Sequence, residues 1–253
     1  MKKLITSKAY ESLDDLCNDY SNQGYVSIKN LLDLDILNDF ASELTNTLAA
    51  LNNNNKSFSE NVLDLDKNNR EQLYDFHNKS QNLFSFQALS KEIYIVLKSL
   101  NKNKPINALH NAYLLGIPKD KRLTYDFHQE GNYMKDLGHI YNIHFPIFQK
   151  SNKNNGTMSL LIGSEKEGLL PYNKKRLSND SYTDLVPKNI EALIEKYDEG
   201  ICELEVGDCL IFNEKIVHKS NYNNSDLCRT VGVWRALSSF DKNQINQLKP
   251  GEL

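Results

Sequence analysis

Apolar residues recur every third or fourth position through roughly the first hundred residues, then switch to alternation, and that switch divides the chain. Leu13, Leu16, Cys17 and Tyr20 fall at helical spacing, with Gly24 as the stop. Tyr25-Val26-Ser27-Ile28 alternates as a half-buried strand does. Asp33 is placed to cap a helix whose apolar stripe is Ile36, Leu37, Phe40, Leu44 and Leu48. An Asn-rich run from Asn52 to Lys56 reads as a solvated loop, and helical stretches are predicted after it, around 69–79 and 88–100. The second carries Leu89, Ile93, Val96, Leu97 and Leu100 at core spacing.

From Asn107 onward, short strand-like runs are separated by Gly, Pro, Asn and Asp. The predicted strands are 107–116, 122–128, 140–149, 157–162, 200–205, 209–213 and 228–238, with turns at Asn155-Gly156 and Gly207-Asp208. Strands in this number, without helices alternating between them, favour a sandwich or barrel over a parallel sheet. Residues 164–199 break the pattern with a polar stretch and a predicted helix near 188–197, an insertion suited to act as a lid. The expected fold is mainly β with N-terminal helices, in one domain spanning 1–253. About 1–105 would be helical support, and 106–253 a double-stranded β-helix, the jelly-roll core of cupin-like proteins.

Composition removes several partners. With 253 residues and a formal net charge of -3, the chain offers no basic field for nucleic acid or an anionic membrane. MKKLITSKAYESLDDL holds no apolar run that could serve as a signal-peptide core, and no segment approaches a membrane span, so a cytoplasmic location is expected. Cys17, Cys202, Cys209 and Cys228 form no C-x-x-C pair, and the last three read as small buried thiols. Nothing in the pattern speaks to oligomeric state.

The chemistry enters with His128-Gln129-Glu130, His218 and Arg229. Side chains at i and i+2 of an extended segment share a face, so His128 and Glu130 can reach one metal ion. His218 follows the apolar run from Cys209 to Phe212, where a strand would open into a loop. Two imidazoles and one carboxylate make the facial set that holds non-haem Fe(II) and leaves positions open. Arg229, eleven residues past His218, supplies a planar fork for a carboxylate co-substrate. Asn142 and His144 share one face of a predicted strand, with Tyr141, Ile143 and Phe145 on the other. Facing inward, they would meet co-substrate or substrate, and Asn111 and Tyr113 on the preceding strand are comparable candidates. Gln129, Asn132 and Tyr133 flank the ligand pair and are candidates for the substrate rim. His77, His110 and His139 read as exposed or structural.

The segment GDCLIFNEKIVHKSNYNNSDLCRTVGVWRAL resembles the C-terminal core of the phytanoyl-CoA dioxygenase family: a Gly-Asp turn, a strand, the second histidine, a polar loop and an arginine on the next strand. FHQEGNY is similar to that family's first metal motif, NGTMSLLIGSEKEG to its Asn-Gly turn and Gly-Ser-His stretch, and GYVSIKNLLDLDILNDFASEL to its opening strand and helix. The resemblance implies an oxygenase dependent on Fe(II), 2-oxoglutarate and O2. His128, Glu130 and His218 would hold iron, and Arg229 would hold the distal carboxylate of 2-oxoglutarate with Ser220 as a hydroxyl partner. Two positions depart from the family: Glu130 stands where Asp is usual, and Glu165 where the third motif has His. With a carboxylate filling the iron position that halogenating relatives leave open, the expected outcome is hydroxylation or another oxidation of a small, polar or sugar-like metabolite. Two other functions stay open on the residues alone: a non-enzymatic jelly-roll binding or sensor protein, and a cupin-type metalloenzyme that uses no 2-oxoglutarate.

Overall fold

The structure, a computed structural model, describes residues 1–238 except 81–82, 123, 135–136 and 179–182. At 74–75, 77–79, 84, 86–87 and 108–114 it describes the backbone alone.

Helices dominate the first hundred residues. α1 (Leu13–Gln23) starts where the Ser12 side chain accepts from Asp15 N and ends at Gly24 in the left-handed region, burying Leu16 and Tyr20. α2 (Leu34–Asn52) is capped by Asp33, which accepts from the N–H groups of Asp35 and Ile36, and buries Leu37, Phe40, Leu44 and Leu48. α3 (Phe58–Asn68), α4 (Glu71–Ser80) and α5 (Phe84–Leu100) complete the layer. α3 is an element the apolar spacing did not predict. Its signal is the reciprocal capping box of Ser57 and Glu60, directly after the Asn-rich run.

Two sheets follow. The larger consists of β2 (Tyr25–Ile28), β9 (Cys209–Asn213), β4 (Ile140–Pro146), β11 (Arg229–Leu237) and β3 (Asn107–Gly116), all antiparallel in that order. The smaller has the order β1 (Lys2–Thr6), β8 (Glu199–Glu203), β5 (Met158–Leu161) and β10 (His218–Ser220), with β1 parallel to β8. Together they form the jelly roll. β1 and the three-residue β10 were not predicted: neither carries enough alternation to be read locally, and each exists because a neighbouring strand pairs with it. Among the described residues of 122–128, the expected strand reduces to His128 alone, in an isolated bridge to His218. The rest turns, with Arg122 N donating to Asp120 and Thr124 N donating to Lys121 O.

Alternation decides what each sheet face meets. Tyr141, Ile143 and Phe145 of β4 and Trp234 and Ala236 of β11 belong to the same apolar cluster as the helix residues Leu37, Phe40, Leu44 and Leu89. The opposite faces enclose a second cluster of Ile5, Met158, Leu160, Leu210, Phe212 and Ile216 between the sheets. Asn142 pairs with Phe212 and His144 with Leu210, which puts both polar side chains inside the roll. Within 164–199 the chain forms a 3-10 turn (Ser164–Glu167), an unpredicted hairpin of β6 (Tyr172–Arg176) and β7 (Thr183–Pro187), and α6 (Ile190–Lys196), which falls in the expected helical window. Among the described residues, no helix is long and apolar enough to cross a membrane.

Gly232 shows how tightly β11 lies against the helix-facing core. A Cβ there would sit 2.2 Å from the Phe145 ring. Gly232→Ala is therefore expected to lower stability by about 1–3 kcal/mol through overpacking, read as a reduced urea midpoint. An unchanged midpoint would contradict the packing described.

Candidate metal centre and its surroundings

His128 and His218 are joined backbone to backbone. Each N–H donates to the other's carbonyl at 2.9 Å, so two residues distant in the chain face each other across a narrow pair. Gln129 stays extended, which carries the side chain of Glu130 to the same side as His128 before the chain enters a 3-10 turn over Glu130–Asn132. One ligand atom from each of His128, Glu130 and His218 lies within 4.8 Å of the other two, and all three residues are buried. The imidazole centroids are 4.2 Å apart.

Both rings are fixed in the same tautomer. His128 Nδ1–H donates to Asp126 O at 2.6 Å, and His218 Nδ1–H donates to Ile216 O at 3.0 Å. A carbonyl can only accept, so each Nδ1 carries the proton and each Nε2 is left as a lone-pair donor. Burial, then the nearby His128, pushes the His218 pKa down to about 3 against the opposing pull of Glu130, so the ring is neutral at ordinary pH. Burial works against the charged form of Glu130, but Arg235, followed by His128 and His218, outweighs it and holds the carboxyl below its usual range. The neutral His218 and the ionised Glu130 are in the states a divalent ion requires.

Arg229 lies on the inward face of β11, 2 % exposed. Its Nε donates to Asn155 O at 3.1 Å, and the absence of a side chain at Gly116 makes room for its guanidinium. Nη1 has no hydrogen-bond partner among the described residues. The same holds for Asn142 Nδ2 and both ring nitrogens of His144. Burial, then Arg229 and His218, depress the His144 pKa to about 3, which puts this ring within electrostatic reach of both the guanidinium and the metal cluster. Buried polar groups without partners are costly, and four such atoms along one inward face suit a small dicarboxylate. Ser220, at the end of β10, shares the face of His218, with Met158 as its cross-strand partner.

The rim candidates are used differently. The Gln129 amide is spent on the scaffold: Nε2 donates to Gly168 O at 2.8 Å and Lys215 O at 2.6 Å, while Oε1 accepts from Leu170 N at 2.9 Å. Asn132 Nδ2 donates to Leu170 O at 3.1 Å. These two side chains pin the 168–170 segment beside the ligand pair. Tyr133 sets its ring edge-on to His128, and its hydroxyl donates to Thr183 O and accepts from Leu185 N of β7. Asn111 and Tyr113 lie on β3, with side chains outside the described residues, as do those of His77 and His110. His139 lies away from the ligands, with Nδ1 2.6 Å from Glu214 and Nε2 3.3 Å from the Tyr20 hydroxyl.

Two residues escaped the sequence reading. Arg235 Nε lies 2.7 Å from Glu130 Oε1. Its signal was present: positions 229, 231, 233 and 235 of one strand share a face. Asp184, between the two β7 residues that hold Tyr133, is 7 % exposed with Oδ1 unpartnered. Burial raises its pKa, opposed by the Asp126 N–H and by His128. No local signal marks Asp184, because its role depends on how the hairpin docks.

The chain matches the model of the family described as Phytanoyl-CoA dioxygenase (PhyH) over residues 20–231. No curated protein matches it in sequence. Among solved structures it is similar to EctD from S. alaskensis with 2-oxoglutarate and 5-hydroxyectoine, at TM-score 0.62 and 12% identity, covering 92% of this chain and 79% of that one. It is also similar to EvdO2 from Micromonospora carbonacea var. aurantiaca complexed with 2-oxoglutarate, at TM-score 0.62 and 11% identity over 93% and 94% of the two chains. The epimerase SnoN in complex with Fe3+, alpha ketoglutarate and nogalamycin RO gives TM-score 0.59 and 14% identity over 94% and 90%. At such identities the likeness speaks for the fold alone.

The two depressed histidines fix a pH dependence. The unfolded chain takes up a proton on each as pH falls below the ordinary value of 6.5, while the folded protein does not until about 3. Stability of the metal-free protein is therefore full above about pH 6.5 and is lost progressively below it, by up to about 1.4 kcal/mol per pH unit for each histidine. Urea midpoints measured from pH 7 to 5 should fall, and His144→Leu should flatten the slope. A slope unaffected by that substitution would contradict the assignment.

Proposed function

The chain belongs to the phytanoyl-CoA dioxygenase family of Fe(II)- and 2-oxoglutarate-dependent oxygenases, and on that premise we propose that it hydroxylates, or otherwise oxidises, a small polar or sugar-like metabolite. The observation that carries the reading is the convergence of His128, Glu130 and His218 on one point, with the buried, partly unpartnered guanidinium of Arg229 on the inward face of the same roll.

In this assignment His128, Glu130 and His218 hold iron, and Arg229 binds the distal carboxylate of 2-oxoglutarate. Asn142, His144 and Ser220 line the space between. Iron with 2-oxoglutarate and O2 supplies the oxidising chemistry, which releases succinate and CO2 as the substrate is oxidised. The chain's own contribution is placement. Arg229 offers a charge-assisted, planar contact that fixes the co-substrate's orientation, and the low-dielectric interior strengthens that contact. The neutral His144 donates or accepts a hydrogen bond without adding a competing positive charge beside Arg229. Glu130 fills the position a halide would need, which favours oxygen insertion over halogenation.

The described residues of 164–199 serve as the cover over the substrate's entrance. Gln129 and Asn132 hold its 168–170 segment, and Tyr133 holds β7. The polar character of the substrate is supported by what this cover and β11 bring near the ligands: the Tyr133 hydroxyl, the Asp184 carboxylate and the Arg235 guanidinium.

Removing the guanidinium from a buried carboxylate costs about 2–5 kcal/mol. Arg229→Ala should therefore raise the 2-oxoglutarate concentration needed for half-maximal uncoupled succinate formation by roughly 30-fold or more. An unchanged requirement would remove Arg229 from the co-substrate site. In a substrate screen, small hydroxylated or amino metabolites should stimulate succinate formation; stimulation by fatty acyl thioesters alone would overturn the polar-substrate reading.

A further inference from the structure

Resting on the oxygenase reading above, we infer that Arg235 is a positioning residue for the metal. Its guanidinium holds Oε1 of Glu130, so that this carboxylate offers Oε2, as a single oxygen, to the ion shared with His128 and His218.

The geometry begins with strand β11. Arg229 and Arg235 lie on the same inward face, separated by roughly 20 Å of extended chain, with the paired positions of His144 and Asn142 alongside Val233 and Arg235. One arginine serves each end of that face. At one end of this face the Arg235 side chain is 17% exposed and brings Nε to 2.7 Å from Glu130 Oε1, itself on a side chain 8% exposed.

The reason for such a partner lies in the identity of Glu130. Relative to Asp, Glu has one more methylene and rotatable bond, so its carboxylate loses more freedom when it is held in one place. It can also approach a metal through one oxygen or two. A guanidinium on Oε1 removes both ambiguities: it selects the rotamer and occupies the oxygen that a two-point approach would need. Partners outside the coordination sphere commonly fix a metal-bound carboxylate, and here that partner is an ion pair at 2.7 Å.

An opposing effect sets the sign of the test. A positive charge beside a cation site repels the ion. If repulsion dominates, deleting Arg235 tightens metal binding; if positioning dominates, deletion weakens it. Positioning is expected to prevail, because without Arg235 the buried Glu130 carboxylate loses its ionic partner at 2.7 Å and the contact that fixes its rotamer, and an uncompensated buried charge is costly.

The experiment is an anaerobic Co(II) titration of the full chain, followed by visible absorption, whose d–d intensity reports coordination number. Parent, Arg235→Ala, Arg235→Lys, Glu130→Asp, Glu130→Asp with Arg235→Ala, and His218→Ala would be compared. Thermal midpoints of the metal-free proteins verify folding. Arg235→Ala should weaken Co(II) binding about 10–100-fold, the usual loss when a ligand's outer partner is removed, and alter the band intensity. Arg235→Lys, which keeps the charge without the fork, should fall between. In the Glu130→Asp background, where the shorter side chain withdraws from the guanidinium, removing Arg235 should cost less than threefold. An Arg235→Ala affinity equal to or tighter than the parent's, with binding still lost in His218→Ala, would overturn the inference and leave the metal site standing. Equal binding by parent and His218→Ala would overturn the metal site beneath it.

Discussion

Two backbone hydrogen bonds between His128 and His218 close the geometry on which everything else depends. Backbone pairing is specific to within one residue, because a shift of one position turns every side chain to the opposite face. A slip at this bridge would turn a metal ligand away from its partner. The remaining supports hold this register in place. The Gln129 amide ties the motif to residues 168, 170 and 215, and the carbonyls of Asp126 and Ile216 hold each imidazole by Nδ1. The frame is buried and hydrogen-bonded, while the two Nε2 atoms are left to converge.

The jelly roll gives its two faces opposite characters with a single strand period. On β4 and β11, alternate residues pack against five helices, and the residues between them point into the roll. The helix-facing side is apolar and close, as the contact of Gly232 with Phe145 shows. The inward side holds His144, Asn142, Arg229 and Arg235, an arrangement that costs stability in the metal-free protein. Folded proteins rarely leave buried donors and acceptors unpaired, and such departures mark places where stability has been traded for function. Here four of the orphaned atoms among the described residues, on Asn142, His144 and Arg229, run along one inward face of the larger sheet, beside the candidate metal ligands.

Much of this was legible in the sequence because it is local. β3 and β9 fall on the residues the alternation predicts, and α2 begins at the Asp33 cap that its stripe demands. His128, Glu130 and His218 could be nominated because i and i+2 share a strand face and the apolar run before His218 predicts where its strand ends. What was hidden depends on tertiary contact. β1 and β10 are too short or too polar to declare themselves, and the β6–β7 hairpin sits in a stretch whose charges read as loop. The bonding of Gln129 to the frame was hidden too, because nothing in the triplet tells a buried amide from an exposed one. Arg235 was within reach of the same alternation that selected Arg229, yet its use became visible only when the Glu130 carboxylate was found beside it. Asp184 carried no signal at all, since the docking of a hairpin is not written in its local pattern.

The most direct test of the account is an anomalous difference map at the iron edge, from crystals grown anaerobically with Fe(II) and 2-oxoglutarate. The account predicts one strong peak among His128 Nε2, Glu130 and His218 Nε2, with the far carboxylate of 2-oxoglutarate on the Arg229 guanidinium. A peak elsewhere, or iron at this point with the 2-oxoglutarate carboxylate away from Arg229, would contradict it.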